Sequence, residues 1–385
     1  MKRVLSLPHP FLSDHHAALQ QRLRQQWTEP IEAVRASFQA GEIDEDAAAR
    51  GFVQALATNG HLQRAIEGDV RGLCVAREEC AYLSGFADSQ LALQGLGSYP
   101  IQLTGDSELI RRYVVPAAAG QKIPAFALTE PEAGSDVRAL QTRARRQGDC
   151  YVLNGEKTLI TNAGVADYYT VFARLEDAED TFVALVVDAD TQGFQVAERY
   201  SATAPHPLGR LLFRDCEVPV KQRAGAEGDG LKLAFGTLDR FRPTVGAAAL
   251  GLAMRALSEA CAHVSGRQQF GRTLDRFQMI KGIVADRFAD AELARLTVYR
   301  AAWLLDEQPT SGLHGMASAL GKLTATEAAF RVVDSAVQLF GGRGVLRGEV
   351  VEALYRDVRA LRIYEGTSEI QRLILAKGVM DDGRD

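Results

Sequence analysis

Hydrophobic periodicity changes twice along this 385-residue chain, near Pro124 and near Gly230, and those changes limit the folds open to it. Before Pro124, apolar residues recur at spacings of three and four over Ser13 to Phe38, Asp44 to Gly60 and Asp69 to Leu83, which predicts helices. From Phe126 to Pro219, β-branched and aromatic residues are cut by turn signals. Strands are expected at Tyr151 to Leu153, Lys157 to Thr161, Tyr168 to Leu175, Thr181 to Asp188, Phe194 to Ala197 and Leu211 to Val218. Asn154-Gly155 reads as a hairpin turn between the first two. Helical spacing returns at Gly230 and continues through Gly312 to Phe340, Glu349 to Leu361 and Ser368 to Val379, with Ser368-x-x-Gln371 as a capping box. The expectation is an α+β chain, mainly α, with an antiparallel β-barrel-like middle. Its domains are expected at 1–123, 124–225 and 226–385.

A chain of this length can bury roughly three quarters of its extended surface, so it needs no disulfide or metal staple. Hydrophobic residues at 46% and charged residues at 24% exclude a disordered, collagenous or coiled-coil chain. A net charge of −5 without a basic stripe argues against a nucleic-acid partner. Five cysteines form no C-x-x-C pair and no Cys/His cluster of metal spacing, which fits a reducing compartment and no metal. The run Lys2 to Pro10 breaks too soon for a signal peptide, and Val245 to Met254 is too short to span a membrane. A bacterial-type cytoplasm is the expected location.

Five segments carry chemistry. Leu128-Thr129-Glu130-Pro131-Glu132-Ala133-Gly134-Ser135-Asp136 offers hydroxyls and open backbone N–H groups to the edge of a flat ring, although alone it reads as a polar turn. Asn154 to Asn162 is a strand ending in a hydroxyl and an amide. Arg267-Gln268-Gln269-Phe270-Gly271-Arg272, followed by Gln278, offers a guanidinium fork to a diphosphate, or is a solvated loop. In Gln338-Leu339-Phe340-Gly341-Gly342-Arg343-Gly344 the glycines admit a close ligand or cap a helix. Ile363-Tyr364-Glu365-Gly366-Thr367-Ser368-Glu369-Ile370-Gln371-Arg372 places a carboxylate between an aromatic and a glycine, as a positioned base or a surface glutamate. No G-x-G-x-x-G follows a strand, so a Rossmann nucleotide site is not indicated.

In this order and spacing the five segments resemble the acyl-CoA dehydrogenase family of flavoenzymes, well from about Gly120 to Lys377 and loosely before that. The resemblance implies an N-terminal helical domain, a middle β domain and a C-terminal four-helix bundle, with FAD as cofactor. It implies removal of a proton from Cα and a hydride from Cβ of an acyl-CoA thioester, giving a trans-2-enoyl-CoA. Electrons then pass to an electron-transfer flavoprotein. Glu365 matches the base. A second subgroup carries its base where this chain has Phe241, which cannot take a proton. Phe126, Leu128, Thr129, Gly134 and Ser135 match positions along the flavin ring and the pantetheine arm, and Ile160 and Thr161 match the strand against the flavin. Thr367 and Glu369 match positions near the FAD phosphates or ribose. Arg267, Phe270, Gln278, Gln338, Gly341 and Gly342 match contacts supplied by a neighbouring subunit, which implies a homotetramer built as a dimer of dimers. Asp239, Arg242, Tyr364, Gly366 and Ser135 match the substrate site.

Three departures from the family pattern stand out. Leu159 replaces a common Trp or Phe beside the flavin. Glu369 replaces a common Gln, and an acid near phosphates is tolerated where it faces solvent or pairs with Arg372. Ala204 to Arg210 replaces the usual segment near the CoA arm, and His206 there reads as a loop residue. The alternatives are an acyl-CoA oxidase, a dehydrogenase of carrier-protein-bound acyl groups, a monooxygenase, against which Glu365 argues, or a scaffold without chemistry.

Overall fold

The computed structural model describes residues 3–4, 6–178 and 180–381. Lys2 and Leu5, from the N-terminal run read above, lie outside them. The chain forms two compact units, each assembled from separated stretches. One comprises Met1–Thr28, Asp69–Asp88 and Asp239–Asp385, and the other Glu29–Gly68 and Ser89–Leu238.

The second unit holds the sheet. Its strands are β1 (Pro124–Ala127), β2 (Arg143–Gln147), β3 (Cys150–Thr161), β4 (Tyr168–Leu175), β5 (Phe182–Asp188), β6 (Phe194–Arg199), β7 (Leu208–Pro219) and β8 (Arg223–Ala224). They run in the order β6-β7-β3-β2-β4-β5-β8, with β1 also against β4. The antiparallel pairing expected from the turn signals holds for most neighbours, but β1 and β2 each run parallel to β4. Neither joins β4 through a tight turn, and long connections allow parallel neighbours.

Strand β4 is buried on both faces. Tyr169, Val171 and Ala173 join Val183, Leu185 and Val187 of β5 and Phe213 of β7 in one core. On the opposite face Tyr168 Oη bonds Ser98 Oγ at 2.8 Å, and Thr170 Oγ1 donates to the Gly97 carbonyl at 2.7 Å. Alternate residues face opposite sides, so a strand covered twice reads as an unbroken apolar run. Gly97 permits that cover, because a Cβ there would lie 2.5 Å from Pro124 Cβ and 3.0 Å from the Ala125 nitrogen. Its backbone therefore rests on β1 and sets where Leu128 and Thr129 leave the strand.

Asn154-Gly155 is not a hairpin turn. Strand β3 runs through it, and the turn lies at Gly148-Asp149 between β2 and β3. The pair instead forms a bulge, where the register with β7 shifts between Leu153 and Gly155. Gly155 has φ 140°, and a Cβ there would lie 2.7 Å from Thr142 Cα. The Asn154 side chain accepts from the Asp215 N–H at 2.8 Å. The dipeptide's tolerance of unusual backbone is spent on a bulge.

The first unit is helical. The helix Val70–Leu83 is buried along nearly all its length, and three successive charges on it are each satisfied. Arg77 pairs with Asp88, Glu78 with Arg295 at 2.5 Å, and Glu79 with Arg24 at 2.7 Å. The same unit holds Gln278–Glu307, His314–Phe340, Val350–Ala360, Ser368–Asp381 and the part of Gly230–Gly266 from Asp239 onward. Gly230–Gly266 is long and apolar enough to cross a membrane by length and composition, yet 83% of its apolar window is buried within the protein.

Candidate active site

Glu365 sits between the helices Val350–Ala360 and Ser368–Asp381. Its backbone is left-handed, with φ 53°, and Gly366 follows at φ 88°. A glutamate holds that conformation only where its surroundings fix it, at a cost of about 1–3 kcal/mol. Lys322, buried on the helix His314–Phe340, donates to the Tyr364 carbonyl at 2.5 Å and to the Gly366 carbonyl. Gln371 Nε2 also donates to the Gly366 carbonyl, at 2.9 Å.

The helix cap falls on Thr367 rather than on the expected Ser368. Thr367 Oγ1 accepts from the Ile370 N–H at 3.3 Å. Ser368 is drawn away, donating from Oγ to Glu327 at 2.7 Å and from N–H to the Arg362 carbonyl at 3.0 Å. The Glu327–Arg362 ion pair at 2.9 Å outcompetes the local box.

One Glu365 oxygen, Oε2, is shut off from solvent and has no hydrogen-bond partner among the described residues. Burial pushes this carboxyl above the ordinary glutamate value, while Arg77, Lys322 and Arg242 pull it back and Asp88 pushes it further up. Arg77 grips Asp88 through two bonds, at 3.0 and 2.6 Å, and reaches Thr244 Oγ1 at 3.0 Å. Arg242 pairs with Asp239 one helical turn away. Burial brings the Lys322 ammonium down to about 8, with Glu365 opposing that shift and Arg242 adding to it. Phe241 is fully buried and supplies no acid or base. Such a carboxylate can accept a proton from a carbon acid that excludes water on binding.

Of the expected site residues, the structure brings Glu365, Tyr364, Gly366 and Arg242 together. Sequence reasoning missed Arg77, Asp88 and Lys322. The available signal was a charge among apolar neighbours on a helix, which local spacing cannot aim at a target.

A second group of expected residues lies on the surface of the same unit. Strands β9 (Gln268–Gln269) and β10 (Arg272–Thr273) form a small hairpin whose turn is Phe270-Gly271. Both turn residues have positive φ, 53° and 75°, and Phe270 is 91% exposed. Arg267, Gln278, Gln338, Gly341 and Gly342 are exposed as well. His263 stacks on Phe340 at 4.2 Å, which brings the approach to the hairpin beside the turn at Gly341. Gly341 caps its helix, donating to the Gln338 carbonyl.

Asp239, Thr367 and Glu369 also belong to the helical unit, and the expected residues between Phe126 and Thr161 lie in the sheet unit. Lys157 and Glu130 form a buried ion pair at 2.7 Å, and Lys157 also donates to the Leu128 carbonyl at 3.0 Å. Glu130 accepts the N–H groups of Gln141 and Thr142, at 2.5 and 3.0 Å. Burial pushes Lys157 down to about 8 against the pull of Glu130. The Thr158 N–H donates to the Thr129 carbonyl at 2.9 Å. These bonds tie Leu128 and Thr129 to the strand that ends in Ile160 and Thr161. Phe126 packs on Phe172 at 4.9 Å, Ile160 is buried, and Gly134 and Ser135 are exposed. Leu159 is 58% exposed with φ 54°, at the second bulge of β3. His206 is a loop residue whose Nδ1 lies 3.1 Å from the Ala204 carbonyl.

His15, His16 and Asp69 gather three ligand-type atoms within 4.8 Å. His16 Nδ1 accepts from the Ser13 N–H at 3.2 Å, so Nε2 carries the proton shared with Asp69 at 2.6 Å. His16 and Asp69 form a hydrogen-bonded pair, and the His15 ring lies against the His16 ring at 3.8 Å.

Residues 125–216 match the family model for the acyl-CoA dehydrogenase middle domain, and residues 228–380 match that for the acyl-CoA dehydrogenase C-terminal domain. A short-chain-specific acyl-CoA dehydrogenase from Clostridium acetobutylicum is 39% identical over 315 residues, covering 80% of this chain and 82% of the relative. The solved butyryl-CoA dehydrogenase of Megasphaera elsdenii is 31% identical, with a TM-score of 0.87 over 97% of this chain and 100% of that one. A chain from a structure titled as the electron transferring flavoprotein of Acidaminococcus fermentans is 30% identical, with a TM-score of 0.88 over 98% of this chain and 100% of that one. Sequence, fold and the order of the motifs agree: this chain belongs to the acyl-CoA dehydrogenase family.

Proposed function

We propose that this enzyme desaturates the Cα–Cβ bond of an acyl-CoA thioester, with Glu365 as the base that takes the α-proton. The observation that carries the assignment is the shielded, unpartnered Oε2 of Glu365 on a strained left-handed backbone. Burial raises its basicity, and the nearby cations Arg77, Lys322 and Arg242 oppose part of that rise. FAD, when bound, supplies the acceptor for the β-hydrogen as hydride. Arg242, Tyr364, Gly366, Asp239 and Ser135 are assigned to the acyl-thioester side.

The residues present fit FAD. Gly134, Gly341 and Gly342 have no atom within 4 Å of where a Cβ would stand, so a ligand can approach the backbone closely there. Phe126, Leu128, Thr129, Ile160 and Thr161 are assigned to the flavin ring. Thr367 is assigned to the phosphates at the start of the 14-residue helix Ser368–Asp381. Glu369 is 77% exposed and lies 3.6 Å from Arg372, and its own backbone N–H and the Thr367 hydroxyl hold its carboxylate below the ordinary glutamate value, so an anion at that helix start takes the place of this carboxylate. The exposed set of Arg267, Phe270, Gln278, Gln338, Gly341 and Gly342 is assigned to the FAD of a neighbouring copy, in a tetramer built of two dimers. The division at 1–123, 124–225 and 226–385, an electron-transfer flavoprotein as acceptor, and a cytoplasmic setting consistent with five unbridged cysteines belong to the same proposal.

The test is anaerobic bleaching of the purified yellow enzyme by butyryl-, isobutyryl-, octanoyl-, phenylpropionyl- and glutaryl-CoA. Bleaching by at least one, with electrons recovered in added electron-transfer flavoprotein, is expected. Rapid oxygen uptake with peroxide release would make it an oxidase. A colourless protein would refute the flavin assignment.

A further inference from the structure

We propose that Lys322 is the positioning residue for Glu365: by clamping the peptide carbonyls on both sides of it, Lys322 holds the carboxylate in its working orientation and ionised. This rests on the assignment of Glu365 as the base. Lys322 is 1% exposed, and its ammonium donates to the Tyr364 and Gly366 carbonyls. Those two carbonyls bracket the one residue of the turn that is left-handed without being glycine. Carbonyls two residues apart converge on a single donor only if the chain folds around the residue between them, so the clamp and the strained φ of Glu365 require each other.

A packing role does not account for an ammonium here. A leucine or methionine would fill the same volume without the cost of burying a charge. The neighbouring cations each have a carboxylate partner of their own: Arg77 pairs with Asp88, and Arg242 with Asp239. Among the described residues, Lys322 makes no ion pair of its own, and Glu365 is the acid whose field it feels. The charged and titratable groups facing Glu365 are therefore Arg77, Asp88, Arg242, Lys322 and the adjacent Tyr364. Of these, Lys322 alone fixes the backbone of Glu365 and also lends it an unshared positive charge.

The experiment measures the rate of anaerobic flavin bleaching against pH in the FAD-loaded enzyme, using whichever acyl-CoA of the panel above bleaches the wild type fastest. Lys322→Met is expected to slow bleaching about tenfold at its high-pH plateau, because the carboxylate loses its orientation. Its rising limb moves about one pH unit higher, because the charge that favoured ionisation is gone. The half-saturating acyl-CoA concentration stays within about threefold. Lys322→Gln keeps two N–H donors without charge, so it is expected to recover most of the plateau rate while keeping the raised limb. An unmoved limb in either flavin-loaded variant overturns the proposal. So does failure of both variants to form flavin-loaded enzyme, which would make the lysine a folding requirement. Glu365→Gln, run alongside, separates the two ideas. If it bleaches at the wild-type rate, the base assignment fails and takes this proposal with it. If it is inactive while Lys322→Met behaves as wild type, only the positioning role fails.

Discussion

Lys157 and Glu130 meet at 2.7 Å with both side chains closed off from solvent. The pair joins strand β3 to the loop that follows β1, and its spare hydrogen-bonding capacity is taken up by the Leu128 carbonyl and two backbone N–H groups. The proposed flavin-facing residues Leu128, Thr129, Ile160 and Thr161 flank this anchor in sequence. Removing one partner strands a buried charge on the other, at about 3–5 kcal/mol. Lys157→Ala is therefore expected to lose stability of that order and to retain less flavin. A melting curve superimposable on wild type would refute the anchor.

Glu365→Gln should keep the flavin and lose about 10²–10⁴-fold in the rate of its bleaching by acyl-CoA. In the wild type that rate should rise with pH, with a midpoint above the ordinary glutamate value of 4.5, because burial disfavours the carboxylate. Stopped-flow traces across pH test both statements, and a midpoint at or below 4.5 would contradict the second.

Phe270 occupies a left-handed turn position and is 91% exposed, an arrangement that isolated folding does not reward. If it packs on cofactor in a neighbouring copy, Phe270→Ser should weaken FAD retention about tenfold or more. The flavin-to-protein ratio after gel filtration measures this, and full occupancy would remove Phe270 from the site.

Burial raises the pKa of Asp357 from 3.8 to about 7, with Arg356 opposing and Glu352 adding to the shift. Its carboxyl packs against Gly85, where a Cβ would lie 2.7 Å from Oδ2. A raised native pKa gives stability that is complete below pH 3.8 and lost as pH climbs through 7. Asp357→Asn should therefore melt a few degrees above wild type at pH 8, and the gain should vanish near pH 4. An equal difference at both values would show that ionisation is not the cause.

Much of the architecture was legible in short spans. The helix expected at Ser13 to Phe38 lies at Asp14–Gln39, and the strand expected at Tyr168 to Leu175 is found with those bounds. Each element is built from residues whose spacing already states which face is apolar. Asn154-Gly155 and Ser368 misled for one reason: both carry local chemistry that suits a turn or a cap. Thr142 and Asp215 recruit the first into a bulge, and Glu327 recruits the second into a hydrogen bond.

By itself the sequence determined the order of helices and strands, the five motifs, and the glutamate set between an aromatic and a glycine, because all of these depend on neighbours a few residues apart. Only the tertiary structure decided what surrounds that glutamate. Arg77 reaches Thr244 across 167 positions, and Lys322 reaches Tyr364 across 42. A side chain's orientation toward so distant a partner follows from how helices pack, and periodicity shows which face is buried but not what it is buried against.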